Sequence, residues 1–209
     1  GCRHMLVTRQ IWVVVEFSDE VVKPVSFEAI YAARLLADSL QGTVEALCIG
    51  LEKPDQAGDL LHYGADRVRV LNSSFFGTFS LELWLKAVGS QIDERKPYAI
   101  IFSATTHGKE LSASLSAKLN VGLATDCVAI EARGREEILV RRPVYAGKAL
   151  SNLILKGSGP HILSLRANLF RGPGPDSSRT GDVELLNIKV SNRDLLLKVR
   201  EVVQEAGNK

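Results

Sequence analysis

The alternation of unbroken apolar runs with helix-like segments constrains the fold of this chain most strongly. Residues 11–17 (IWVVVEF) form a continuous β-branched and aromatic run, which is typical of a strand buried on both faces. A segment with helical spacing of apolar residues follows, from Pro24 to a glycine stop at Gly42. The same step then repeats, with predicted strands at 44–50, 67–71 and 98–103 and predicted helices at 54–63, 78–93 and from 106 onward. We therefore expect a doubly wound α/β domain, with a mostly parallel sheet and helices on both faces.

The alternation of predicted strands and helices ends after Ala124. Residues 125–166 contain strand-like pieces with no room for helices between them, so we expect antiparallel hairpins that extend or cover the sheet. One more strand at 183–190 and a last helix at 194–206 are predicted near the end of the chain.

Domain organisation follows from composition. Residues 171–182 (RGPGPDSSRTGD) are rich in glycine, proline, serine and charge, which predicts a mobile linker or loop. We expect residues 6–170 to form the α/β domain and residues 183–209 to lead toward a further domain. Residues 1–5 (GCRHM) fit no periodic pattern and are expected to be an expression remnant.

Charge and cysteine content narrow the class of protein. A net charge of +2 with scattered basic residues does not favour nucleic-acid binding. Cys48 and Cys127 lie in apolar strands, which predicts reduced, buried thiols and a cytoplasmic location. No apolar run reaches the roughly 18 residues that would predict a membrane span. The four histidines have no metal-ligand spacing, so we expect no metal.

The turn TTHGKE, residues 105–110, is the first candidate site. It follows the strand at 98–103, and ligands of parallel sheets collect where strands end and helices begin. Thr106 is the expected N-cap, Gly108 would let another group approach closely, and Lys109 opposes the helix dipole unless something negative lies nearby. An anion or nucleotide cleft formed by these residues and Thr105 competes with a simple capped helix whose lysine is solvated.

Catalysis is poorly supported by the sequence. GxGxxG and GxxxxGK[ST] loops are missing, and no nucleophile or base accompanies the candidate carboxylates Asp126, Glu131 and Glu137. We expect no catalytic residues, and we therefore expect that the protein is not an enzyme.

The stretch RRPVYAGKAL, residues 141–150, is the second candidate site. Arginine and tyrosine anchor many protein interfaces, so Arg142, Tyr145 and Gly147 predict a partner surface. Arg166, in SLRANLF, adds a further arginine at the end of a predicted strand. An exposed hairpin with solvated arginines remains an equal alternative.

Taken in order, residues 104–126, RPVYAGKAL and SLRANLF resemble the N-terminal domain of the electron-transfer flavoprotein alpha subunit. The opening strand with KPVSFEAIYAARLLA, and the segment YGADRVRVL, extend the resemblance over nearly the whole chain. It implies a nucleotide-alpha-hydrolase-like sheet that pairs with a beta subunit. The Thr105 to Lys109 turn and the Arg142 to Gly147 segment match family motifs that support this domain and its contact with that subunit.

The same resemblance implies FAD in a separate C-terminal domain, which would begin with a VSGGRG-like loop. This sequence contains no such loop, so we expect no FAD-binding residue in it. The implied function is to support electron transfer from flavin dehydrogenases through the complete heterodimer. The alternative is a stand-alone nucleotide-binding module of the universal-stress-protein kind, but that would need a glycine-rich phosphate loop, which the sequence lacks.

Overall fold

The computed structural model describes residues 9–51, 56–72, 81–189 and 198–206. The described helices are α1 (Pro24–Leu40), α2 (Ala57–His62), α3 (Leu81–Arg95) and α4 (Thr106–Leu119). The described strands are β1 (Gln10–Val14), β2 (Phe17–Ser18), β3 (Val21–Val22), β4 (Thr43–Ile49), β5 (Arg67–Asn72), β6 (Ala99–Ser103), β7 (Leu123–Cys127), β8 (Ala129–Arg133), β9 (Glu137–Val144), β10 (Ala149–Leu155), β11 (His161–Leu165), β12 (Asp182–Lys189) and β13 (Lys198–Ala206).

Eight strands form the main sheet, in the order β13-β12-β5-β4-β1-β6-β11-β7. Every neighbouring pair from β12 to β7 is parallel, and only β13 runs antiparallel to its neighbour. The doubly wound, mostly parallel sheet is thus confirmed. The chain moves from β1 to β4 and β5 on one side and returns to β6 on the other, so a crevice opens between the carboxyl ends of β1 and β6. We call the edge where these strands end the carboxyl edge.

Helices cover both faces of the main sheet, as predicted. Alternate residues of β1 point to opposite faces, so Ile11 and Val13 pack with α1 and α2 while Trp12 and Val14 pack with α3 and α4. The face of α1 toward the sheet is rich in alanine, which lets the helix lie close to the strands. Pro24 opens this helix at its first turn, and Gln41 closes it in the left-handed conformation at φ 55°.

Two strands that we predicted to lie in antiparallel hairpins, β7 and β11, are parallel neighbours in the main sheet. A parallel connection needs a crossover, and here a three-stranded antiparallel sheet, in the order β10-β9-β8, replaces a helix in that role. Its inner face buries Ile138 and Val140 completely against the α1 side of the core. The predicted hairpins are therefore correct for residues 129–155 and wrong for β7 and β11.

The last predicted helix is also wrong where the structure describes it. Residues 198–206 form β13, which pairs antiparallel with β12, while residues 194–197 lie outside the described residues. β12 would otherwise be the edge of the sheet with unpaired backbone groups, and KVREVVQEA contains three valines, which favour strands. Pairing with an open edge overrides the helical spacing of this segment.

Residues 171–181 lack regular secondary structure, as composition predicts, and they contact the α/β domain. Asp176 N–H donates to the His62 carbonyl oxygen at 2.8 Å, and the Arg179 guanidinium lies 3.6 Å from the Asp66 carboxylate. β12 follows and pairs with β5, so the residues on either side of this segment share one sheet. The mobility of the segment stays a prediction.

A buried ionic cluster joins β4, β5 and β12. The Arg69 side chain is 1% exposed and lies 2.5 Å from the Glu45 carboxylate and 3.6 Å from that of Glu184. Its guanidinium also lies 5.6 Å from the centre of the Trp12 ring. Burial lowers the pKa of Arg69 to about 10, and the two carboxylates oppose that effect. The position of β12 in the sheet therefore depends on charge pairing as well as apolar burial.

The prediction of buried, unpaired thiols at Cys48 and Cys127 is confirmed. Cys2 lies outside the described residues. Within the described ranges, no helix is long and apolar enough to cross a membrane.

Candidate functional site

Strand β9 runs past the main sheet from the end where the parallel strands begin to the carboxyl edge where they finish. At the start of β6, the Tyr98 hydroxyl donates to the Glu136 carbonyl oxygen at 2.8 Å, just before β9. At the end of β7, Val128 N–H donates to the Arg141 carbonyl oxygen at 2.8 Å. The turn at 145–148 comes after this point, so it projects beyond the carboxyl edge.

Both groups of residues predicted from the sequence therefore lie on the same edge. Helix α4 starts there because it follows β6, and Arg166 lies there because it follows β11. The predicted residues at or beyond this edge are Thr105, Thr106, Gly108, Lys109, Arg142, Tyr145, Gly147 and Arg166.

Thr105, and not Thr106, is the N-cap of α4. Its backbone is extended (φ −79°, ψ 169°), and its hydroxyl oxygen accepts a hydrogen bond from Gly108 N–H at 3.0 Å. Thr106 is the first helical residue and is exposed. The prediction was wrong by one residue, because an N-cap needs extended backbone angles that Thr106 no longer has.

The crevice between β1 and β6 already contains a carboxylate of the chain itself. Glu16, shortly after β1, is 7% exposed, and the Thr105 hydroxyl lies 2.7 and 2.9 Å from its two carboxylate oxygens. Thr105 thus accepts from the helix backbone and donates to Glu16, which places a negative charge near the α4 N-terminus. Sequence reasoning missed Glu16, although a glutamate closing a central buried strand was the available signal.

Gly108 is needed by the neighbouring backbone. A Cβ atom at this position would overlap the carbonyl oxygen of Ser103, at the end of β6. The close approach that we predicted is therefore real, but the approaching group belongs to the same chain. Lys109 is exposed beside it. Glu16 adds negative charge at this helix start, which disfavours a phosphate group there, and the anion or nucleotide cleft stays a prediction.

Asp126 and Arg166 form a two-bond ion pair at the ends of β7 and β11. Arg166 Nε donates to one carboxylate oxygen at 3.1 Å and the terminal nitrogen to the other at 2.5 Å. Asp126 has a left-handed backbone (φ 56°), and its N–H donates to the Ser164 hydroxyl at 2.9 Å. The hydrogen bond from Arg166 lowers the pKa of Asp126, and the charges of Lys109 and Arg142 lower it further.

This pairing supplies the partner that sequence reasoning did not find for Asp126. A carboxylate held ionised by a bidentate arginine is a poor proton carrier at neutral pH. The other two candidate carboxylates do not gather around it: Glu137 pairs with Lys156 at 3.2 Å, and Glu131 is exposed on β8. Within the described residues, no group of three or more potential metal ligands occurs.

The tip of the β9–β10 hairpin is apolar and exposed. Tyr145 is 81% exposed and Leu150, opposite Pro143 on the neighbouring strand, is 61% exposed. Three consecutive residues in the turn have positive φ, at 52°, 53° and 84°, and the last of them is Gly147. The turn therefore holds a tyrosine in solvent on a tightly bent backbone.

Comparison with known proteins decides the family. A model of the electron transfer flavoprotein domain matches residues 11–191. This chain belongs to that family. The family match confirms the resemblance found in the sequence and favours it over the universal-stress-protein alternative.

Relatives of the family include several alpha subunits. The chain is 31% identical over 201 residues to the electron transfer flavoprotein subunit alpha of Bacillus subtilis, which covers 96% of this chain and 60% of that protein. It is 28% identical over 197 residues to the LctC subunit of the lactate dehydrogenase (NAD(+),ferredoxin) of Acetobacterium woodii, covering 94% and 47%. Protein FixB of Clostridium saccharobutylicum is 28% identical over 195 residues, covering 93% and 58%. The chain thus spans about half the length of these relatives and is an alpha-subunit-like electron transfer domain.

Proposed function

We propose that this chain is the N-terminal domain of an electron transfer flavoprotein alpha subunit and that it docks a beta subunit through its carboxyl edge. The observation that carries this proposal is the exposed hairpin tip with Tyr145 and Leu150, next to Arg142 on β9. Tyrosine and arginine are enriched among the residues that dominate binding energy at interfaces.

The energetics of the hairpin tip favour docking. Burying a tyrosine removes about 150–250 Å² from water. At about 25 cal/mol per Å², burial of the apolar part contributes about 2–4 kcal/mol before the cost of association. The bent turn already fixes the backbone around Tyr145 in the free chain, so binding costs little conformational entropy there.

The proposed domain carries no catalytic residue and no flavin of its own. Several relatives are named as flavoproteins, and this chain spans only about 60% of their length. Its crevice does not fit the diphosphate of FAD, since Glu16 lies at the helix start where a phosphate would bind. We propose that FAD belongs to another part of the full-length protein, and that the complete heterodimer accepts electrons from flavin dehydrogenases in the cytoplasm.

Titration calorimetry with a beta subunit from the same organism tests the docking proposal. Tyr145→Ala should weaken binding about tenfold or more, because it removes the largest exposed apolar side chain of the tip. Leu35→Ala is the matched control. Leu35 is 53% exposed, but it lies in the second half of α1, which ends at the opposite edge of the sheet. Equal affinity of both variants and the unchanged chain would contradict this docking surface.

A further inference from the structure

Lys109 and Arg166 reach the same place on the carboxyl edge from two elements. Ala104 N–H donates to the Leu165 carbonyl oxygen at 2.8 Å. This bond ties the residue before the α4 turn to the residue before Arg166. The first turn of α4, which carries Lys109, therefore starts beside the Arg166–Asp126 ion pair.

Arg142 reaches this place from a third element. The bond from Val128 N–H to the Arg141 carbonyl oxygen places β9 directly beside the end of β7, where Asp126 lies. Arg142 is half-buried, and its Nε has no hydrogen-bond partner among the described residues. Its charge also acts on Cys127, the neighbour of Asp126.

One cation thus bonds the Asp126 carboxylate, and two more lie close enough for their charges to act on it. Arg166 bonds Asp126, whereas Lys109 and Arg142 form no ion pair with another of the described residues. With Glu16, which Thr105 holds at the start of α4, this part of the carboxyl edge carries three positive and two negative charges, so an excess of one positive charge remains. Such an excess favours an acidic group on a docking partner and disfavours a basic one.

We infer that this cluster binds an acidic side chain of the beta subunit, and that Asp126 holds Arg166 ready until that side chain competes for it. This inference rests on the proposed docking surface and names the chemistry of its partner. The internal pair shows that the site accepts a planar carboxylate in two-bond geometry, which an arginine fork matches. A partner carboxylate would make the same bonds and would add the charges of Lys109 and Arg142.

Because Asp126 and the partner carboxylate compete for Arg166, removing the charge of Asp126 should strengthen binding of the beta subunit. Asp126→Asn removes the internal competitor and leaves a side chain that tolerates the left-handed backbone at φ 56°. The association constant of the beta subunit should then rise about threefold or more, as expected for one added favourable charge near the surface. Arg166→Gln should lower it about tenfold, because it removes the bidentate donor. Raising the salt concentration should narrow both differences.

The control uses the two lysines of α4. Lys109→Gln and Lys118→Gln remove the same charge from opposite ends of one helix, and only the former should weaken binding. Circular dichroism of each variant shows that the fold is kept.

The outcomes separate the two proposals. Absence of any binding by the unchanged chain overturns docking itself. Binding that Arg166→Gln and Asp126→Asn leave unchanged overturns only the ionic inference. Equal weakening by both substitutions also overturns it, since Asp126 would then merely position Arg166.

Discussion

Replacing Gly108 with alanine should destabilise the fold by about 2–4 kcal/mol. The added Cβ would overlap the Ser103 carbonyl oxygen, which belongs to the backbone of a central strand and cannot turn aside. The start of α4 must therefore move away from β6.

Two costs combine to give this magnitude. Forcing an extra methyl group into a closely packed site costs about 1–3 kcal/mol. Movement of the helix start also weakens the bond from Gly108 N–H to Thr105, an N-cap interaction of about 0.5–2 kcal/mol. Thermal unfolding followed by circular dichroism should show a midpoint lowered by roughly 4–16 °C, since 1 kcal/mol shifts a domain of this size by about 2–4 °C.

Gly89→Ala in α3 is the matched control. A Cβ there meets only the Lys118 side chain at 3.7 Å, an ordinary contact. The same substitution should stabilise this helix by about 0.4–1 kcal/mol, because alanine loses less backbone entropy than glycine. A Gly108→Ala chain as stable as the unchanged protein would refute the packing argument at the α4 start.

Three other predictions concern the core and the surface. Glu45→Gln should lower the free energy of unfolding in urea by about 3 kcal/mol, because the buried Arg69 charge then lacks its nearest carboxylate. Glu82→Gln, in an exposed pair with Lys86, should lower it by under about 0.5 kcal/mol, and similar losses in the two variants would contradict the buried cluster. Burial raises the pKa of Cys48 and of Cys127 to about 12, so peptide-level mass spectrometry should find both thiols unlabelled at pH 8 in the native chain and labelled after denaturation; rapid native labelling would disprove this. Trypsin should cut residues 171–182 early, and after exposed Arg171 before Arg179, whose guanidinium lies near Asp66; the reverse order would show that the contact with Asp66 gives no protection.

The sequence predicted those strands and helices whose hydrophobic pattern is recognisable within one segment. The strands β1, β4 and β6 were found because each is a largely apolar run, and α1 and α4 because their apolar residues recur at helical spacing. The placement of β7 and β11 was not found. Their crossover is a small antiparallel sheet, and short strands without a helix between them have the same local pattern as hairpins.

The candidate site was likewise predicted only in part. Residue types identified Arg142, Tyr145 and Arg166, and the turn at 105–109, as unusual. Their partners could not be found in this way, because Glu16 lies 89 positions before Thr105, and Asp126 lies 40 positions before Arg166. Only the sheet order brings such distant residues together. It also places a carboxylate of the same chain, Glu16, at the helix start in this turn, while the anion or nucleotide cleft stays a prediction.

Hydrogen–deuterium exchange of this chain, with and without a beta subunit from the same organism, tests the central claim most directly. The account predicts that binding slows exchange at residues 142–150 and around Arg166, while α3, on the opposite face of the main sheet from the small sheet, exchanges at an unchanged rate. A stable complex in which α3 is protected and the hairpin is not would contradict it.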